Sequence, residues 1–267
     1  MAQSTMLKLA RIQWLVLGLA GILLGGAMWS QPARADWTDD VSTIAEQASQ
    51  GNYIAAEEIA NQSLQNGPGT FLFGETGTLV IHQWRGRLRL LGGDAQGAIA
   101  DAQAIIEADS SYFPPDIGYA LRGMAKAIEG NADGSEADFA SALKLAGSGS
   151  MSALRLDGGK GERAIARMIL NDFAGAMQDL NEVISGDNDT LMMAPYVKPK
   201  KEAWTHLRQA IVPLETGDLA QAAVPIRAAI DVLLTAGTQT VGSDFLSFQL
   251  ILMQIDTMAA ERQAIQL

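Results

Sequence analysis

The sequence predicts an all-α protein built from repeated helical hairpins, and three observations support this fold class. A similar segment recurs five times along the chain. Within the copies, apolar residues are spaced as on one face of a helix, for example Ala98, Ala102 and Ile105. No stretch of comparable length alternates apolar and polar residues in the manner that predicts a strand.

Each of the five copies is a turn followed by the start of a helix. A turn pair (Gly-Asn, Gly-Asp or Asn-Asp) is followed five positions later by a small residue and eight positions after that by an aliphatic residue. Glycine or asparagine can adopt the left-handed conformation that ends a helix. A small residue lets two helix axes approach closely. The copies begin at Gly51, Gly93, Gly130, Asn171 and Gly217.

This pattern resembles the tetratricopeptide repeat, which consists of helix A, a tight turn and helix B. The resemblance implies a solenoid of about five stacked hairpins, because one hairpin cannot bury its apolar face alone. The solenoid is predicted over residues 36–236, and residues 237–267 are predicted to hold a capping helix at 244–264 with Ser243 as its N-cap. In the 34-residue frame of the family, the units begin near Trp37, Leu79, Asp116, Asp157 and Ala203.

The units depart from that frame in several places. The turns are 42, 37, 41 and 46 residues apart, which predicts insertions before the next helix A at residues 71–78, 113–115, 150–156 and 191–202. The last insertion contains Pro195, Pro199 and lysines at 198, 200 and 201. Glycines at 158 and 159 predict a late start for the fourth helix A. Pro213 and Pro225 are predicted to kink both helices of the fifth unit.

A charge pattern also recurs in the three middle units. Arginine occupies one position of helix A, at residues 85, 122 and 163, and aspartate occupies one position of helix B, at residues 101, 138 and 179. The first and last units have neither charge. Because the two charges are present or absent together, we predict that they are in contact. The alternative is inheritance by duplication without contact.

The residues that carry most catalytic and metal chemistry are scarce. Cysteine is absent and histidine occurs only at His82 and His206. Both stand at the helix A position that Tyr119 has in the third unit, which favours packing between helices. The acidic clusters at 36, 39 and 40 and at 187 and 189 lack the loop of an EF-hand, which favours solvated surface charge. We therefore expect no enzyme activity, no cofactor and no metal site.

Residues 1–35 have the features of a signal peptide. Lys8 and Arg11 precede an apolar stretch at 12–28, and Ala33-Arg34-Ala35 fits the small side chains that signal peptidase accepts. The alternative is an uncleaved membrane anchor. Cleavage after Ala35 would remove three positive charges and change the formal net charge from −11 to −14. Such a chain repels nucleic acid and anionic lipid, so an electrostatically steered partner would be basic.

The end of this segment, Pro-Ala-Arg-Ala followed by Asp-Trp, resembles those of cyanobacterial proteins exported to the thylakoid lumen or periplasm. Exported repeat proteins of this type include factors that help to build photosystems. The resemblance implies a protein-binding scaffold that assists the assembly of membrane complexes, with subunits of such a complex as partners and at most peripheral membrane contact. A stoichiometric structural subunit is the alternative, and an enzyme or metal carrier is less favoured.

Tetratricopeptide proteins bind their partners in the groove lined by helix A. Carried over to this chain, that groove is mostly apolar, which suits an extended or helical apolar segment of a partner. A tryptophan in this groove, close to the lysines at 198–201, is predicted to be a binding hot spot; the alternative is that it packs in the core. The predicted protein-binding residues are Gln83, Arg87, Met124, Ile165, Met168, Trp204, Leu207 and Ile211.

Overall fold

The fold is described by a computed structural model that covers residues 37–67, 76–108, 110, 113–146, 159–186, 194–238 and 242–265. Within these residues every regular element is an α-helix, which confirms the predicted all-α class. The eleven described helices are α1 (Trp37–Ser49), α2 (Tyr53–Asn66), α3 (Thr76–Leu91), α4 (Ala95–Glu107), α5 (Asp116–Ile128), α6 (Ala132–Leu145), α7 (Lys160–Ile169), α8 (Phe173–Ser185), α9 (Ala194–Thr216), α10 (Leu219–Ala236) and α11 (Asp244–Ile265).

The first ten helices form five hairpins that close with the same kind of turn. The first turn residue has a positive φ in every hairpin, at Gly51, Gly93, Gly130, Asn171 and Gly217. In the second hairpin, the Gly93 N–H donates to the Leu90 carbonyl at 3.2 Å and the Asp94 N–H donates to the Arg89 carbonyl at 2.8 Å. These bonds satisfy the last carbonyls of the first helix. The predicted left-handed turns are therefore confirmed.

The second residue of each turn pair directly precedes the first residue of the next helix. In the last four hairpins its side chain accepts a hydrogen bond from the backbone N–H three residues on, as an N-cap does. These N-cap residues are Asp94, Asn131, Asp172 and Asp218. Asn52 has the same place in the first hairpin but makes no such bond. Turn and cap together explain why the recurring segment predicted the hairpins so closely.

The hairpins stack so that odd-numbered and even-numbered helices have different neighbours. Along the chain α1 contacts α3, α3 contacts α5 and α5 contacts α7. Each even-numbered helix packs against the other helix of its hairpin and against the odd-numbered helix that follows. Helices α1, α3, α5 and α7 therefore share one face of the stack, which corresponds to the helix A face predicted from the sequence.

Small residues lie where the helices approach most closely. The five small residues that follow the turns are completely or almost completely buried: Ala56, Ala98, Ser135, Ala176 and Ala222. Gly118 shows how tight the contact between α4 and α5 is, because an added Cβ would lie 2.7 Å from the carbonyl oxygen of Ala102. A backbone atom cannot move aside cheaply, so the crossing requires glycine here.

Several predicted boundaries need correction. The second helix A begins at Thr76 and the fifth at Ala194, earlier than predicted. The fourth begins at Lys160, a turn late as expected. Residues 194–202 are helical despite their prolines. Pro195 lies in the first helical turn, where a proline costs no hydrogen bond. Pro199 lies inside the helix and removes one helical hydrogen bond, and the burial of Val197 favours the helix there. The predicted signal peptide and residues 68–75, 147–158 and 187–193 lie outside the described residues.

Candidate protein-binding site

The groove predicted to bind a partner is filled by helix α11 of the same chain. Its start was predicted correctly at Asp244, but the helix does more than cap the open end, because it packs against α3 and α7 as well as α10. The Phe245 ring lies 6.3 Å from that of Trp84 on α3, and the Phe248 ring lies 4.5 Å from that of Trp204 on α9. The hydroxyl of Ser247 lies 3.9 Å from the sulfur of Met124 on α5. Helix α11 therefore spans four successive hairpins.

The predicted groove residues are accordingly buried. Gln83 alone is half-buried, and the others are at most 6% exposed: Arg87, Met124, Ile165, Met168, Trp204, Leu207 and Ile211. The expectation of an open groove around Trp204 is therefore wrong, because the chain supplies its own helix there. A partner protein could reach these side chains only if α11 left the groove.

Buried charges fix the first turn of α11 in place. Arg87, on α3, contacts the carboxylate of Glu162 on α7 at 3.1 Å and that of Asp244 on α11 at 3.2 Å. It also donates to the hydroxyl of Ser243, the residue predicted to be the N-cap of α11. Lys200, on α9, contacts Asp244 at 2.6 Å. The arginine of the groove and one of its neighbouring lysines are thus neutralised within the chain.

The sequence of α11 indicates that the first half of this helix is buried in the groove. Eight of its first twelve residues are apolar, and they lie on all sides of the helix. Seven of them are buried: Phe245, Leu246, Phe248, Leu250, Ile251, Leu252 and Ile255. A helix that only covered the end of a solenoid would show an apolar stripe on one side. From Asp256 onward most residues are exposed. The change halfway along the helix marks the point where it leaves the groove.

The three predicted arginine–aspartate contacts are confirmed. The guanidinium of Arg85 lies 2.5 Å from the carboxylate of Asp101. The corresponding distances are 2.7 Å for Arg122 with Asp138 and 2.6 Å for Arg163 with Asp179. Each pair joins the two helices of one hairpin. The aspartates are at most 4% exposed, so these are partly buried interactions.

A second cation was missed in each of these hairpins. Four residues after the arginine, the next turn of helix A places Arg89, Lys126 or Arg167 within 2.9 Å of the same aspartate. These second cations also donate to a backbone carbonyl near the start of helix B. The i, i+4 spacing from the first arginine is visible in the sequence and could have identified them.

Asp101 is the most heavily bonded of the three aspartates. It accepts hydrogen bonds from Arg85 and Arg89, and His82 Nδ1 lies 2.6 Å from its Oδ1. Burial raises the pKa of Asp101, but the hydrogen bonds from His82 and Arg85 and the charges of both arginines lower it more. The net pKa lies below the usual value for aspartate. His82 thus links α3 to α4 through Asp101.

The contact between Arg122 and Asp138 can be tested by a double-mutant cycle. We expect Arg122→Ala and Asp138→Ala to show a coupling of about 1–3 kcal/mol in the free energy of unfolding, because the two side chains are partly buried and in direct contact. Urea denaturation of the wild type, both single variants and the double variant measures it. Thr43 with Ile59, at the same places in the first unit, gives a control cycle with no charge pair. Coupling near zero for Arg122 with Asp138 would contradict the prediction.

Two further properties of the described residues bear on the type of site. Within them, no three His, Cys, Asp or Glu residues come together in a way that could hold a metal ion. One described helix, α10, has the length and apolar composition to cross a membrane. Core helices also pass that test, and α10 packs against α9 and α11.

The comparisons with known proteins return no relative for this chain. No protein-family model, no curated protein and no solved structure matches it.

Proposed function

We propose that the chain is a tetratricopeptide-like solenoid, exported to the thylakoid lumen or periplasm, that binds proteins and assists the assembly of photosynthetic membrane complexes. The observation that carries this proposal is the repetition. Five hairpins close with the same left-handed turn, and three of them carry the same partly buried arginine–aspartate pair. Stacked hairpins of this kind offer an extended surface to other proteins.

The filled groove determines where a partner would bind. Releasing α11 would expose seven large apolar side chains, each of which stabilises the fold by about 1.5–3 kcal/mol when buried. The total is about 10 kcal/mol or more, which is comparable with the whole stability of a typical domain. A partner that displaced α11 would have to offset this cost. We therefore place the partner-binding surface outside the groove.

Purification from native membranes tests the function. A tag after residue 267 leaves the N-terminus free for processing, and mass spectrometry then identifies the proteins that accompany the chain in fractions containing immature or mature complexes. We expect membrane-complex subunits in the immature fractions alone. A fixed ratio to mature complexes would indicate a structural subunit instead. The absence of any membrane-complex subunit would refute the proposal. An N-terminal peptide starting at Asp36 would support export and cleavage.

A further inference from the structure

At the end of the groove, where α11 emerges from the stack, an apolar cleft opens that shares Met168 with the predicted groove. It has a volume of about 90 Å³ and lies between the α7–α8 turn, the α9–α10 turn and residues 251–258 of α11. Eight of its ten lining residues are apolar, among them Ile169, Phe173, Leu214 and Met258. Met258 is 38% exposed and is one of four large apolar residues that are exposed in the part of the chain that the structure describes. The cleft is smaller than the roughly 150 Å³ cavity that holds a benzene ring, so it fits one aliphatic side chain.

The turn residue at this cleft differs from its counterparts. Asn171 has a φ of 61°, whereas the corresponding residues of the other four hairpins are glycines with φ between 74° and 81°. Asparagine is less suited than glycine to this conformation, and a residue held there is a reason to look for function. Its side chain lines the cleft. Among the five described hairpin turns, the one without glycine is therefore one of the two that border the cleft.

Two amides at the cleft have hydrogen-bonding capacity. The side chains of Asn171 and Gln254 are the polar members of its lining. Within the described residues, neither side chain takes part in a hydrogen bond. Each amide can donate two hydrogen bonds and accept others. They are therefore available to the backbone of a peptide whose side chain enters the cleft.

The surroundings of the cleft are acidic. Four exposed carboxylates are next in sequence to lining residues: Asp172, Glu215, Asp218 and Asp256. Arg227 lies 3.5 Å from Asp256, and Arg167 lies 3.5 Å from Asp172. The charge of Arg167 is already matched by the buried Asp179 and by Glu136. Arg262 also lies at this end of the stack, where its guanidinium donates to the carbonyl of Gly217, the residue before Asp218. The four carboxylates exceed the two cations Arg227 and Arg262, so the surroundings of the cleft keep a negative charge, in agreement with the net charge of −11 for the whole chain.

We propose that this cleft binds a segment of a partner protein that inserts one aliphatic side chain flanked by lysine or arginine. The apolar walls bury the aliphatic side chain, the two amides bond the backbone beside it, and the acidic rim attracts the flanking cations. This inference rests on the proposed protein-binding function and names the surface and the type of partner.

A peptide-binding measurement tests the cleft. The probe is a short fluorescein-labelled peptide with a central leucine between lysines, and its control has serine in place of that leucine and the same charge. Fluorescence anisotropy measures both. We expect the leucine peptide to bind at least about tenfold more tightly, since burying such a side chain is worth about 1.5–3 kcal/mol and 1.4 kcal/mol is tenfold. Equal affinities, or no binding, would refute the proposal.

Two variants on adjacent residues separate the cleft from general charge effects. Met258→Lys and Thr257→Lys add the same charge to the exposed part of α11, but only Met258 lines the cleft. We expect Met258→Lys to weaken binding of the leucine peptide at least about tenfold, as for an interface hot spot, and Thr257→Lys to weaken it much less. Equal effects would contradict the cleft as the site.

Asn171→Gly provides a second test that does not endanger the fold. Glycine suits the positive φ at this residue, so the variant should melt at the temperature of the wild type or above it. We expect it to weaken peptide binding several-fold because a backbone-binding amide is lost. Unchanged affinity would show that the side-chain amide of Asn171 does not bind the peptide. If the wild type fails to bind the peptide but captures membrane complexes, the scaffold function stands and the cleft does not.

Discussion

Phe248→Ala is expected to lower the free energy of unfolding by about 3–5 kcal/mol, the cost of removing a buried phenylalanine. Phe248 is 1% exposed on α11, and its ring packs on that of Trp204 across the groove. The loss leaves a cavity between α9 and α11 that well-packed neighbours cannot fill. Urea denaturation of both proteins measures the difference from the shift in midpoint.

Thr257→Ala is the matched control, because it truncates an exposed residue of the same helix. We expect it to change the stability by less than about 0.5 kcal/mol. If Phe248→Ala had an equally small effect, α11 would not be held in the groove, and the predicted groove residues would again be available to a partner.

The same reasoning reverses the expectation for Trp204. A binding hot spot in an open groove would make Trp204→Ala weaken partner capture and leave the melting temperature almost unchanged. Because Trp204 is 6% exposed and in contact with Phe248, the structure predicts a large loss of stability instead.

The hairpins could be predicted from the sequence because their causes are local. A left-handed turn residue, an N-cap such as Asp94 and a small residue at the crossing all lie within a few positions of one another. The arginine–aspartate pairs could be predicted for a related reason. Arg122 and Asp138 are only sixteen residues apart, on two helices whose arrangement the turn already fixes. Repetition of the same spacing in three hairpins then made the contact stand out.

The place of α11 could not be predicted in the same way, because its contacts are distant in the sequence. Arg87 lies 75 residues from Glu162 and 157 from Asp244, and no spacing rule connects them. The family resemblance also led to a different expectation, because it implied a groove that is open to a partner protein. Only the apolar character of the first half of α11 on all sides indicated burial within the stack. The cleft combines residues from two turns and one helix. Because these residues are distant in the sequence, no local pattern predicts the cleft.

Asp101→Ala is the second change with a large expected effect. Asp101 is completely buried and binds His82, Arg85 and Arg89. Removing it leaves two cations without their main partner in surroundings where they are mostly shielded from water. We expect the free energy of unfolding at neutral pH to fall by about 3–5 kcal/mol. Asp231→Ala, on the exposed side of α10, is the control and should change it by less than about 0.5 kcal/mol.

The pH dependence of this loss distinguishes the carboxylate charge from simple packing. The pKa of Asp101 is lowered in the folded protein, so its stabilising contribution is present above the unfolded value of about 3.9 and disappears as the pH falls through the folded value. The wild type should therefore lose stability below about pH 4 more steeply than Asp101→Ala, and the difference between them should shrink. Urea midpoints at neutral pH and at two values below 4 measure this difference. If it stayed constant with pH, the effect of Asp101→Ala would come from lost packing, and the charged network would not stabilise the second hairpin.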